Sequence, residues 1–154
     1  MKILWLAAIL SVSAISCSNE QQKETKTETT SGETKHEHDA AKKKLDLNNG
    51  AKWNADSSTN SNVKNLQAIV EKFNSRTDRS IGAYTSTAAE LQIGLDKMIA
   101  ECKMKGPDHD ALHKWLEPLI GGVSKLKKTT NEQEAAVIIK ETDEQLKLYA
   151  QYFE

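Results

Sequence analysis

Positions 102–113 read Cys102-Lys103-Met104-Lys105-Gly106-Pro107-Asp108-His109-Asp110-Ala111-Leu112-His113. A thiol, a thioether and two imidazoles in so short a run form a donor set for a soft or borderline metal ion. Beyond position 44, Cys102 is the sole cysteine, His109 and His113 are the sole histidines, and Met98 is the sole other methionine. Thiolate and thioether favour Cu(I), whereas Cys102, His109 and His113 alone would equally suit zinc, so Met104 tilts the choice to copper. The spacing C-x-M-x4-H-x3-H matches no zinc-finger pattern.

The same residues have a packing reading. Tyr84, Ala88, Leu91, Leu95, Met98 and Cys102 step by 4, 3, 4, 3 and 4, an unbroken helical seam in which a free cysteine serves as a small core residue. Met104 would then fold onto Trp115 as filler, His109 would face solvent beside Asp108 and Asp110, and His113 would flank an apolar stripe. What separates the readings is whether the chain turns both imidazoles back toward the sulfur.

Periodicity supplies elements able to do this. Val63, Leu66, Ile69, Val70 and Phe73 mark a first helix, capped by a polar residue at 60–62. The seam is the second helix. Gly106-Pro107 ends it and opens a third, whose stripe is Leu112, Trp115, Leu116, Leu119 and Ile120. Pro118 is expected to kink that helix, and Gly121-Gly122 is a break point before Val123 and Leu126. Thr130 or Asn131 caps a fourth, with Ala135, Ile138 or Ile139, Thr142, Leu146, Tyr149 and Phe153 on its face. Ahead of the helices, Asn49-Gly50 between apolar residues signals a type I′ turn, with Leu45, Leu47 and Trp53 capping one end of the core. Short connections argue an all-α antiparallel up-down four-helix bundle over residues 45–154, long enough for one core.

The first 16 residues read as an export signal: Lys2, an apolar run too short to span a bilayer, then Ala14-Ile15-Ser16-Cys17. This ending resembles the bacterial lipobox, which implies cleavage before Cys17 and lipidation of its sulfur. Multiple acyl chains anchor stably, so the expected location is the cell envelope. Ser18, in place of a retaining aspartate, points to the outer membrane. Residues 17–44 carry the lipidated cysteine and a linker of Gln, Lys, Glu, Thr and Ser, too polar to bury a core and expected to be disordered. His36-Glu37-His38-Asp39 within it reads as solvated linker or as an auxiliary metal-capturing arm. With Cys17 acylated, Cys102 has no disulfide partner in the chain.

The whole chain carries 21 basic and 22 acidic residues. No basic patch with interleaved aromatics occurs, which argues against nucleic acid. No C-x-x-C-H, H-E-x-x-H, G-x-S-x-G or phosphate loop is present. A Cys102/His113 nucleophilic pair lacks an orienting third residue, so no enzyme activity is expected.

Two stretches, Leu47-Asn48-Asn49-Gly50-Ala51-Lys52-Trp53 and Cys102-Lys103-Met104-Lys105-Gly106 with His109, Leu112-His113 and Pro118-Leu119, together resemble a family of small exported bacterial proteins. Many of these are lipoproteins of Bacteroidetes, and some are associated with heavy-metal or copper efflux. The resemblance covers about residues 45–154 and implies metal ligation by Cys102, Met104, His109 and His113, with metal-efflux proteins as partners. The fold is also similar to that of four-helix-bundle cytochromes, in architecture alone. The leading expectation is a membrane-tethered protein that binds Cu(I) and buffers it or hands it on. The alternative is an interaction module docking on an envelope partner through exposed Trp53 and Trp115.

Overall fold

A computed structural model of the chain describes residues 45–154. The expected export signal, Cys17, the expected linker and its His36-Glu37-His38-Asp39 cluster lie outside them.

The described residues form four α-helices: α1 (Ser57–Asn74), α2 (Ile81–Glu101), α3 (Gly106–Lys128) and α4 (Glu132–Tyr152). They pack as an up-down bundle in which α1 touches α2 and α4, while α3 touches α2 and α4. Short connections make sequence neighbours antiparallel. Each helix contributes its predicted stripe to one core, and Leu66, Leu91, Leu95, Leu126 and Leu146 are wholly buried.

The caps explain the boundaries. Ser80 accepts the Ala83 N–H at the start of α2, and Asn131 accepts the Glu134 N–H at the start of α4. The first helix begins earlier than the polar residues 60–62 suggested. Its cap is Asp56, whose carboxylate accepts the Thr59 N–H at 2.6 Å. The run Ser57-Ser58-Thr59 disguises that first turn. Asn60 and Asn62 instead tie helices together: the Tyr149 hydroxyl donates to Asn60 at 2.8 Å, and Asn62 donates to Glu101 at 2.8 Å.

Three further expectations are corrected. Gly121-Gly122 does not interrupt α3. Buried Leu119, Val123 and Leu126 on either side hold the turn helical, which offsets the about 1 kcal/mol that each glycine costs in a helix. Gly122 also admits α4 closely, since a Cβ there would sit 3.1 Å from the Thr142 Oγ1. Pro118 is accommodated within the continuous α3, on an exposed face. Ile120 is 39% exposed, one step off the stripe, and Leu47 is 42% exposed, leaving Leu45 and Trp53 to pack on the core.

The turn at Asn49-Gly50 forms as expected. Both residues have positive φ, 52° and 91°, as a type I′ turn requires, and Asn48 and Ala51 exchange backbone hydrogen bonds of 2.9 and 3.0 Å. The chain then pairs with its own C-terminus. The Trp53 N–H donates to the Tyr152 carbonyl at 2.8 Å, and the Glu154 N–H donates back to the Trp53 carbonyl at 3.0 Å.

Candidate metal centre

The α2–α3 connection is short and pinned. Cys102 is the C-cap of α2, its N–H donating to the Met98 carbonyl at 3.0 Å. Gly106 turns the chain with φ 65°, and Pro107 opens α3 without needing a donor. Three contacts from the first turn of α1 and the segment before it hold the connection. The Lys103 N–H donates to Asp56 Oδ2 at 2.7 Å, the Ser58 hydroxyl donates to the Glu101 carbonyl at 3.0 Å, and the Asn54 N–H donates to Asp108 Oδ1 at 3.2 Å.

Asp56 therefore accepts from three donors, capping α1 through Thr59 and Ser58 and holding the backbone between Cys102 and Met104 through Lys103. Its desolvation raises the carboxyl pKa, but the hydrogen bonds from Thr59, Lys103 and Ser58 outweigh that and bring it down to about 2. Because this lies below the ordinary 3.8, the stabilisation is fully present above about pH 4 and is lost as pH falls toward 2. Asp56→Ala is expected to cost about 1–2 kcal/mol at neutral pH, as cap removal does. In urea unfolding, the gap between variant and wild type should close between pH 4 and 2. A gap constant across that window would remove Asp56 from this role.

Behind the connection lies a cleft of about 310 Å³ lined by Met98, Cys102, Met104, His109 and His113, with Ile99, Leu112 and Leu116 as apolar walls. All four donors singled out in the sequence meet there. His109 and His113, one turn apart on α3, place their ring centroids 4.5 Å apart, edge to face at 72°. Cys102, Met104 and His109 are half-buried, while His113 is exposed. No carboxylate or lysine lines the cleft among the described residues.

Cys102, His109 and His113 are not drawn into a ready-made ligand cluster. Among the described residues, no three Cys, His, Asp or Glu side chains lie close enough to hold one ion. The thioethers of Met98 and Met104 line the same cleft and add soft donors to this set. Met98 was legible only as a seam residue, yet its position one turn before Cys102 places it on the same helix face. Tyr149 is buried in the same core. Burial first, then the negative charges of Asp56 and Cys102, hold its hydroxyl well above the ordinary phenol range.

A larger cleft of about 650 Å³ runs between α3 and α4 beside Pro118, Gly121 and Gly122. Its polar lining is Lys114, Glu117, Lys125, Glu141, Thr142, Gln145 and Tyr152, with no thiol, thioether or imidazole. Trp115, expected as an exposed docking anchor, is only 1% exposed, because its indole completes the α3 stripe. Trp53 is half-buried.

No protein-family model, curated protein or solved structure matches this chain, which leaves the site's own chemistry to carry its function. No described helix is long and apolar enough to cross a membrane.

Proposed function

We propose that this protein is a lipid-anchored, non-catalytic envelope protein that binds Cu(I) in the cleft between α2 and α3 and buffers it or passes it to an efflux system. The observation that carries the reading is the convergence of Cys102, Met104, His109 and His113 on one cleft with Met98. Charge favours a univalent ion. With one thiolate and no carboxylate lining the cleft, Cu(I) is neutralised by Cys102, whereas Zn(II) or Cu(II) would leave an uncompensated charge against apolar walls. Ligand softness points the same way.

The direct test is titration of the full-length chain, with Cys17→Ser so that Cys102 is the sole thiol, against a competing chelator. One tightly held Cu(I) and weaker Zn(II) are expected, and a chain that takes up no Cu(I) sinks the reading. The anchor has its own test. Cells grown with a labelled fatty acid should label the wild-type chain and leave Cys17→Ala unlabelled. Equal labelling of both, or of neither, removes the anchor.

A further inference from the structure

The donors around the cleft differ in depth. Met98 is 1% exposed and fixed in the core seam. Cys102 stands one turn further along the same face of α2, and Met104, half-buried, packs against the core from the connecting turn. The imidazoles come from the other wall: His109 is half-buried, and His113, in edge contact with it, is exposed.

Resting on the Cu(I) reading, we infer that the cleft is a two-stage site: Met98, Cys102 and Met104 hold a univalent soft cation, and the His109–His113 pair passes it between that sulfur set and solvent or an acceptor. Met98 becomes a metal ligand in this arrangement. Two thioethers complete the coordination without adding charge, so the thiolate and the cation cancel inside apolar walls. Cys102 loses its proton as the ion binds and regains one as it leaves, and no electron is transferred. The imidazoles are borderline donors that bind the same ion less selectively. Placed outermost, they offer the departing cation a ligand before its last sulfur bond breaks. A site that stores an ion needs only the inner layer, whereas one that hands it on gains from the outer one.

Ag(I) is the probe, being univalent, soft and redox-inert. The full-length chain with Cys17→Ser is loaded with Ag(I), its affinity is read by competition, and its release to excess chelator is followed by stopped flow. Met98→Leu keeps the core volume and should weaken Ag(I) binding about tenfold or more. The double variant His109→Gln/His113→Gln should lose less affinity than Met98→Leu and release the ion several-fold more slowly. Methyl NMR of the unsubstituted chain gives a reading free of any folding defect: both the Met98 and Met104 methyl signals should move on adding Ag(I).

An unmoved Met98 signal overturns the inference. So does a Met98→Leu variant with wild-type affinity, or a double histidine variant that loses as much affinity as Met98→Leu. In each case the ion still binds, and the Cu(I) reading stands. A chain that takes up neither Ag(I) nor Cu(I) brings down that reading and this one together.

Discussion

Replacing Cys102 with alanine should abolish Cu(I) binding at the cleft while leaving the bundle folded. Among the lining residues, Cys102 is the one whose side chain can become an anion on binding a metal ion. Without it, even a univalent ion would sit uncompensated between Ile99, Leu112 and Leu116, and desolvation would oppose binding. The loss should exceed the about 100-fold that removing a mere supporting group costs a metal site.

Folding should register the change only modestly. Cys102 is half-buried, its structural duty is the backbone bond to the Met98 carbonyl, and alanine keeps that N–H. Cys102 packs only in part against the core and alanine keeps the capping N–H, so the loss should stay at about 1 kcal/mol, the usual size for a single substitution. The measurement is a chelator competition beside a thermal melt. Wild-type affinity in Cys102→Ala ends the thiolate reading, and cooperative unfolding near the wild-type temperature shows that a lost affinity is not lost structure.

Much of this geometry was legible in the chain because it follows local rules. The seam ending at Cys102 steps as a helix face must, and Gly106-Pro107 can only turn and restart. His109 and His113 share a face by their spacing alone. What escaped depends on partners distant in sequence. Asp56 could be recognised as a cap only once Thr59 was known to lie in a helix, and its second acceptor role joins it to Lys103 across 47 positions. The pairing of Trp53 with Phe153 joins the two ends of the described domain. Gly121-Gly122 looked like a break because intrinsic propensity was weighed without the flanking core residues that override it.

Trp115 shows the same lesson with the larger energetic consequence. Its place between Leu112 and Leu116 argued for burial, while its aromatic character invited an anchor role. The fold decides for burial and surrounds it with partners. Its ring meets Tyr149 edge to face with centroids 4.9 Å apart, and Phe153 at 6.3 Å, while Tyr149 and Phe153 stack at 4.8 Å. The indole Nε1 donates to the Gln145 carbonyl at 2.9 Å, and Gln145 Nε2 donates back to the Trp115 carbonyl at 2.7 Å. Through Tyr149 the cluster reaches Asn60 on α1, and through Phe153 it reaches Trp53, so the cluster links four segments of chain.

Trp115→Ala should therefore cost about 3–5 kcal/mol, the range for a buried aromatic reduced to alanine. That is a large share of the about 5–15 kcal/mol that holds a domain of this kind together, and it should lower the melting temperature by roughly 15–25 °C. Trp115→Phe keeps the ring packing and gives up the Nε1 hydrogen bond, so about 1 kcal/mol should be lost. Far-UV circular dichroism melts of the two variants check both values. A Trp115→Ala chain melting with the wild type would mean that the indole is not the keystone its contacts describe. With the indole 1% exposed, weaker partner binding by Trp115→Ala would report lost packing rather than a lost surface anchor. The docking hypothesis must then be tested at half-exposed Trp53 instead.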